Sequence, residues 1–150
     1  MRNDDMTCTF FGHRSVPKEI EPILRSTLIN LIENHNAKLF YVGNHGEFDC
    51  MVYRTLKDLA QTYPITYRVV LAYILSKKSE YSLYDDDVTI IPNNIETVPK
   101  RFAIIFRNKW MLRQSDCVIT YVTQQVSSGA AKFKELAERQ GKNVINLYIK

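Results

Sequence analysis

Three short stretches of the chain combine glycine with side chains that can bind phosphate or move protons. They are residues 12–14 (GHR), 43–49 (GNHGEFD) and 127–130 (SSGA), and the first two directly follow apolar runs. A glycine at the end of a strand lets a ligand approach the main chain, because no Cβ stands in the way. Where a helix begins, its first amides lack internal partners and carry partial positive charge, so phosphate binds there readily. The chemistry that these stretches predict is phosphate binding.

The stretch 127–130 has the composition of a phosphate loop that precedes a helix. Ser127 and Ser128 offer hydroxyl groups, and the main chain around Gly129 and Ala130 offers amide donors. A plain connection between a strand and a helix, with a serine as N-cap, has the same composition. Both interpretations stay open from the sequence, and we predict that these four residues bind ligand.

The stretch 43–49 carries two of the chain's five glycines within four positions. It lacks the three-glycine pattern of the dinucleotide fingerprint. We predict that Gly43 and Gly46 let a ligand lie against the backbone, and we place Asn44 in the same ligand-binding set. Asp49 either accepts a hydrogen bond from a sugar hydroxyl or is a first-turn acid that complements the helix dipole.

The first stretch and two acidic residues could also carry catalysis. Gly12 and Arg14 are predicted to bind ligand, and Arg14 can pair with phosphate through two hydrogen bonds. His13 can act as an acid or a base, although no serine or cysteine nucleophile is identifiable beside it. His13, Glu47 and Asp49 are therefore the candidate catalytic residues, and no metal or cofactor is predicted.

Strand and helix patterns alternate along the chain. The predicted strands are 6–11, 38–42, 66–75, 117–122 and 143–148, and the predicted helices are 17–35, 48–63, 101–114 and 130–140. Such alternation predicts a single Rossmann-like α/β domain over residues 1–150, with about five mainly parallel strands and helices on both faces. A ligand then binds at the carboxyl ends of the strands, where the strand order reverses.

The composition indicates an ordinary globular protein, with 45% apolar and 24% charged residues. No apolar stretch approaches the roughly 18 residues of a membrane span, and the N-terminus lacks the apolar region of a signal peptide. We therefore expect a cytoplasmic protein with no membrane partner. The acidic run Asp85–Asp87 is compatible with a cation site and with a solvated loop, and the three cysteines are expected to be buried thiols.

A net charge of +4 raises the question of nucleic-acid binding. The densest basic region holds Lys100, Arg101, Arg107, Lys109 and Arg113. On a helix that advances about 100° per residue, Lys100 and Arg107 share one side, whereas Lys109 and Arg113 fall on the opposite side. Scattered cations are typical of a solvated helix and not of a stripe that follows a phosphate backbone. This distribution argues against nucleic acid as a partner.

Seven segments together resemble one superfamily: TCTFFGHR, FYVGNHGEFD, YRVVLAYIL, VPKRFAIIFRNKWML, SDCVITYV, SSGAAKF and GKNVINLY. They are similar to small bacterial proteins of the SLOG superfamily, the Rossmann-like group that includes the DNA-processing protein A and Lonely Guy families. The resemblance spans residues 7–148. It implies the binding or sensing of a nucleotide or a nucleotide-derived molecule, such as one related to ADP-ribose or NAD.

The resemblance also assigns residues to the site. Residues 12–14 match the first-strand motif, Gly43, Gly46 and Asp49 match the glycine motif of the second strand, and residues 128–130 occupy the last phosphate loop. The helix before the fourth strand is matched by Arg107, Asn108, Trp110 and Met111, and Arg107 would supply positive charge. The Lonely Guy enzymes resemble Pro-Gly-Gly-x-Gly-Thr-x-x-Glu at the last loop, and this chain reads VSSGAAKFKE there.

Two glycines, the threonine and the glutamate of that enzyme motif are missing here. Main-chain amides still bind phosphate after such losses, whereas cleavage of an N-glycosidic bond needs an acid and a tuned carboxylate. We therefore expect a binder or sensor; the alternative is a nucleoside-phosphate glycosidase or transferase, similar to the Lonely Guy phosphoribohydrolases. The surplus of apolar residues in helix 101–114 is compatible with a homo-oligomer and with a helix buried inside the monomer.

Overall fold

A computed structural model describes residues 4–72, 86–123 and 128–149 of the chain. The strands are β1 (Met6–Gly12), β2 (Ala37–Val42), β3 (Thr66–Val70), β4 (Thr89–Ile90), β5 (Cys117–Tyr121) and β6 (Asn143–Asn146). The α-helices are α1 (Ile20–Asn34), α2 (Glu47–Leu59), α3 (Ala103–Gln114) and α4 (Gly129–Arg139). Short 3-10 turns lie between β3 and α3.

The strands form one parallel sheet in the order β4-β3-β2-β1-β5-β6. The predicted Rossmann-like α/β fold is confirmed, with six strands in the described part of the chain where about five were predicted. The additional strand is β4, which is defined by its pairing with Val69 and Val70. A strand of two residues has no periodicity of its own, so the sequence pattern could not identify it. The predicted strand 66–75 ends at Val70, and residues 73–75 lie outside the described residues.

Helices cover both faces of the sheet, as predicted. The core on one face joins residues of α1 and α2 to Phe10 of β1 and Phe40 of β2. The core on the other face joins residues of α3 and α4 to Phe11 of β1 and Val70 of β3. Phe10 and Phe11 are neighbours in the chain and enter different cores, because successive side chains of a strand point to opposite faces. Two-sided burial explains why the strands read as nearly continuous apolar runs.

Two further expectations concern buried thiols and membrane spans. Cys8 and Cys117 are buried free thiols at paired positions of β1 and β5, and Cys50 is half-buried. Among the described residues, no helix has both the length and the apolar content that a membrane span needs.

The strand order reverses beside β1. The chain first adds β2, β3 and β4 on one side of β1, and then adds β5 and β6 on its other side. The carboxyl ends of β1 and β5 lie next to each other, since Gly12 pairs with Tyr121. The loops that leave β1 and β5 diverge at such a reversal, and the crevice between them is the usual ligand site of an open α/β sheet.

Candidate functional site

A cleft of about 610 Å³ opens at the carboxyl ends of β1 and β5. Its walls come from the loop after β1, from one side of α3 and from the beginning of α4. The predicted site residues that line it are Gly12, His13, Arg14, Asp49, Arg107, Ser128, Gly129 and Ala130. Segments that are far apart in the chain therefore meet at one edge of the sheet, because parallel strands bring their carboxyl ends together.

Ser128 begins α4 as its N-cap. Its Oγ accepts a hydrogen bond from the Ala131 amide at 3.1 Å, and its carbonyl oxygen accepts one from the Lys132 amide at 3.1 Å. The amides of Gly129 and Ala130 have no acceptor among the described residues. Both residues line the cleft, so two amide donors lie at its wall, at the positive end of the helix dipole. The serine N-cap and the phosphate loop are thus compatible with each other in this geometry.

His13 makes two hydrogen bonds that determine which ring nitrogen carries the proton. The Thr123 amide donates to Nε2 at 3.0 Å, so Nε2 is unprotonated. In the neutral ring Nδ1 then carries the hydrogen, and it lies 3.2 Å from Ser128 Oγ. Burial lowers the pKa of His13, which favours this neutral form. Both ring nitrogens have protein partners, and His13 thereby connects the ends of β1 and β5 to the start of α4.

The Ser128 hydroxyl consequently accepts two hydrogen bonds and has one left to donate. Its oxygen accepts from the Ala131 amide and from His13 Nδ1, and a hydroxyl has two acceptor lone pairs and one hydrogen. No described residue accepts that hydrogen. Because Ser128 lines the cleft, an acceptor oxygen on a ligand is the partner that this geometry suits.

Arg107 of α3 is buried, with only 2% of its surface exposed, and forms part of the cleft wall. Nε donates to Asn108 Oδ1 at 2.8 Å, and one terminal nitrogen donates to Asn44 Oδ1 at 3.0 Å and to the Val70 carbonyl at 2.9 Å. The other terminal nitrogen lies 3.3 Å from His45 Nδ1. These contacts join α3 to the carboxyl ends of β2 and β3. Arg107 is therefore a fixed positive charge within the site.

Asp49 lies in the first turn of α2, where it complements the helix dipole, and it also lines the cleft. Its Oδ2 accepts a hydrogen bond from the His45 amide at 2.9 Å. Burial raises the pKa of Asp49 to about 6, although the positive charge of Arg107 and the bond from His45 oppose this effect. The carboxylate is thus mainly ionised at neutral pH and takes up a proton in mildly acidic solution. Such a group can accept a hydrogen bond from a sugar hydroxyl or transfer a proton.

Replacing His45 with glutamine is expected to reduce the loss of stability at low pH. Burial lowers the pKa of His45 from 6.5 to about 4, and the positive charges of Arg107 and Arg14 add to the effect. The unfolded chain therefore binds a proton at a higher pH than the folded chain does. The free energy of unfolding of the wild-type protein falls as the pH falls from about 6.5 to about 4. Glutamine does not titrate, so urea denaturation at neutral pH and near pH 4.5 should show a smaller difference in the variant.

The matched control is His35→Gln, because His35 is exposed at the end of α1. The pH dependence of His45→Gln should differ from that of this control, and an unchanged dependence in His45→Gln would contradict the assignment. Asp49 acts in the opposite direction: its pKa is raised from 3.8 to about 6, so its contribution to stability is lost as the pH rises through this window. The wild-type protein and both variants keep Asp49, so its contribution cancels when their pH dependences are compared.

Gly12 and Gly46 allow close approaches between parts of the protein. A Cβ on Gly12 would lie 2.3 Å from a ring carbon of Phe48, so the glycine lets α2 pack against the end of β1. Gly46 has a φ of 97°, in the left-handed region, and a Cβ there would lie 2.8 Å from Arg14 Cα. Both glycines therefore help to position the loop that carries His13. Contact between either glycine and a ligand stays a prediction.

Gly43 makes room for the buried charges. A Cβ at this position would lie 2.9 Å from both Arg107 Cζ and Asp49 Oδ2. The sequence predicts that a ligand approaches the backbone here, but the structure places two protein side chains on that side of the glycine. The short turn after β2 thus serves first to bring a cation and a carboxylate together under the cleft.

Asn44 and Glu47 do not line the cleft. Asn44 is an acceptor for Arg107, as described above, and Glu47 holds the loop after β1. Glu47 Oε1 accepts a hydrogen bond from the Val16 amide at 3.2 Å, and the Glu47 amide donates to the Arg14 carbonyl at 2.6 Å. This carboxylate already has a backbone partner outside the cleft, which leaves Asp49 as the better placed of the two acidic candidates.

The remaining predicted residues are placed as follows. Ser127 and Asp85 lie outside the described residues, and Asp87 is exposed in a 3-10 turn. Arg14 is exposed and lines the cleft. The cleft residues that were not predicted to bind ligand include His45, Asn108 and Thr123, although Asn108 is part of the matched helix motif. The first two stand next to predicted residues in the chain, whereas Thr123 acts through its backbone amide, for which the sequence contains no signal.

A comparison with solved structures finds a similar fold in DNA processing protein A from Helicobacter pylori, described for its single-stranded DNA binding mode. The two chains align with a TM-score of 0.61 and 13% sequence identity, over 94% of this chain. The aligned part spans 64% of the length of that chain. No protein-family model and no curated protein matches this chain. At 13% identity this likeness shows the Rossmann-like fold and nothing finer.

The expectation that nucleic acid is not a partner is overturned by this match, because the similar structure is that of a single-stranded DNA-binding protein. A helical projection treats all the cations of one helix as exposed to solvent. Arg107 is in fact buried in the cleft, and Lys109 lines a groove that α3 shares with α4. A positive surface made by two helices is not visible on the helical projection of either one.

Proposed function

We propose that this protein binds a nucleotide unit, with its phosphate at the start of α4. The observation that carries the proposal is the group of three donors at the cleft wall. The Ser128 hydroxyl and the amides of Gly129 and Ala130 have hydrogens that no described residue accepts. A phosphate group supplies several acceptor oxygens and the negative charge that a helix N-terminus favours. The exposed Arg14 on the same cleft adds a cation that can pair with phosphate.

The rest of the cleft suits the sugar and the base. A volume of about 610 Å³ lies within the range of small-molecule sites. Beyond the donors, Asp49 and Asn108 offer polar groups that can bond to hydroxyl or base edges. Ile104 of α3, which is half-buried, contributes apolar surface against which a base can lie. Few polar groups on an apolar wall are typical of sites that orient an organic ligand.

Two kinds of ligand contain such a nucleotide unit, and both carry the phosphate group that would bind at the start of α4. The unit can be a free nucleotide, including the ADP-ribose or NAD-related ligands that the sequence resemblance implies. It can also be one residue of single-stranded DNA, the ligand in the description of the structurally similar protein. The similarity of fold favours the strand, and the experiment below includes both sources.

A glycosidase that acts on nucleoside phosphates is the second candidate function. Asp49 supports it, since this cleft carboxyl has its pKa raised to about 6, near the pH at which a general acid works well. His13 gives less support, because a backbone amide occupies its Nε2. Free base released from a nucleotide would establish this activity, whereas a binder returns the nucleotide unchanged.

The test is thermal unfolding of the full chain with AMP, with ADP-ribose and with a deoxythymidine decamer, each followed by chromatography for free base. A ligand present at about 100 times its Kd should stabilise the protein by about 2.7 kcal/mol. Ser128→Ala should reduce the ligand-induced shift, measured relative to its own ligand-free protein, because it removes one donor and a helix cap. Ser26→Ala, an exposed change on α1, should leave the shift intact. If no probe shifts the wild-type melting curve, the proposal is wrong.

A further inference from the structure

A second concavity lies directly beside the cleft, between α3 and α4. This α3–α4 groove has a volume of about 370 Å³ and is lined from α3 by Ile105 and Lys109. Gly129, at the start of α4, lines both the groove and the cleft. A chain-like ligand with one unit in the cleft can therefore continue into the groove past the first residue of α4.

The rim of the groove carries three cations that form no ion pair within the described part of the chain. Lys109, Lys132 and Arg139 line it together with one acidic residue, Glu135. The three cations are exposed, and none of them forms an ion pair with a described residue. The groove thus presents an excess of positive charge, which suits an anionic partner.

The floor of the groove is apolar. Ile105 is 47% exposed although it is a large hydrophobic residue, and Phe133 and Leu136 of α4 lie beside it. Apolar floor and cationic rim are the two features that single-stranded nucleic acid uses, because its bases need an apolar surface and its phosphates need cations. A small inorganic anion would make no contact with the apolar floor, and an uncharged peptide would leave the cations of the rim without an anionic partner.

We propose that the α3–α4 groove binds the continuation of a single nucleic-acid strand whose neighbouring phosphate lies at the start of α4. This inference rests on the proposed function and specifies its ligand as a strand. From Gly129 to Arg139 the helix rises about 15 Å, at 1.5 Å per residue. That length exceeds the rise of about 3.4 Å per nucleotide along the axis of a stacked strand several times over, so more than one phosphate can reach the rim.

A second copy of this chain is the other occupant to consider, since exposed apolar residues on α3 also suit self-association. Two copies related by a two-fold axis would bring the same surface together. The three cations of one groove would then face those of the other, and like charges across an interface cost several kcal/mol. Charge therefore favours the strand over the second copy.

The test measures how tightly the full chain binds AMP and a deoxythymidine decamer over a series of salt concentrations. Lys109→Gln and Lys132→Gln should each weaken binding of the decamer and reduce the slope of log K against log salt by about 0.7, the value for one phosphate contact with a single strand. Binding of AMP, which occupies only the cleft, should not change. Lys57→Gln is the matched control, because Lys57 is an exposed lysine on α2, on the opposite face of the sheet.

The outcomes separate this inference from the proposed function. If AMP binds but the decamer binds no tighter than AMP, or if both lysine variants keep the wild-type slope, the groove does not bind a strand and the cleft proposal survives. If neither probe binds the wild-type chain, both proposals fail. Ile105→Glu adds a further check, because a change in oligomeric state with unchanged decamer affinity would assign the groove to self-association and overturn the inference.

Discussion

Arg107→Met should lower the free energy of unfolding by about 3–5 kcal/mol, the usual cost of removing one partner from a buried charged network. The variant leaves the buried Asp49 carboxylate without its neighbouring cation, and it deprives Asn44 and the Val70 carbonyl of their donor. Urea denaturation at neutral pH measures the loss. Arg113→Met is the matched control, since Arg113 is an exposed residue of the same helix, and it should change stability by about 0.5 kcal/mol or less.

The same variant should also change how stability depends on pH. Arg107 holds the pKa of Asp49 down against burial, so its removal raises that pKa further above about 6. A carboxyl group whose pKa is raised by folding contributes stability at low pH and loses it as the pH rises through the folded pKa. Arg107→Met should therefore lose less stability at pH 5 than at pH 7.5, relative to the wild-type protein.

A double variant separates the effect of the unpaired charge from the effect of lost packing. In Arg107→Met combined with Asp49→Asn, the asparagine keeps an oxygen that can accept from the His45 amide but carries no charge. The double variant should be more stable at neutral pH than Arg107→Met alone. A loss of less than about 1 kcal/mol in Arg107→Met, or a double variant no more stable than the single one, would contradict the view that Arg107 neutralises a buried carboxylate.

Gly129→Glu should abolish most ligand binding without harming the fold. No described residue lies within 4 Å of a Cβ built at Gly129, and the residue is the first of α4. An acidic side chain in the first turn complements the helix dipole, typically by about 0.3–1 kcal/mol, so the melting temperature should stay the same or rise. The new carboxylate occupies the region proposed for phosphate. Repulsion between unit charges about 4 Å apart costs about 1–4 kcal/mol, depending on the local dielectric, or a roughly 5- to 1000-fold loss of AMP affinity.

Gly129→Gln is the control for Gly129→Glu, because glutamine has nearly the same shape and no charge. It should lose less affinity than the glutamate variant, and the difference between them should shrink as salt is added. AMP titrations followed by calorimetry measure both variants. Equal affinity of the two variants would show that the start of α4 does not hold the phosphate.

The order and type of the main elements follow from local pattern. Apolar runs at residues 38–42 and 117–122 match β2 and β5, and helical spacing around Leu24 and Leu28 matches α1. Such elements are recognisable because each must bury its own apolar residues, with a period set by its backbone geometry. Local pattern does not predict β4, because its two residues form a strand only through their pairing with β3.

The roles of individual site residues depend more on distant partners. His13 looks like a free acid or base in the sequence, but Thr123 and Ser128 fix its proton and leave the serine hydroxyl as the outward donor. Gly43 looks like an opening for a ligand, but the space beside it holds Arg107 and Asp49. Glu47 looks like a catalytic candidate, but its carboxylate binds the Val16 amide. Each difference arises because at least one partner lies tens of residues away in the chain.

Local pattern is sufficient to predict the parallel α/β architecture and to place three candidate loops at one edge of the sheet, because periodicity and strand–helix alternation are local properties. Only long-range packing shows which donors have no acceptor among the described residues, that Arg107 is buried, and that Lys109 and Lys132 line one groove. These features depend on which residues of different helices come together. Proton positions and surface charge are set by contacts across the fold, and the pattern along a single element does not contain them.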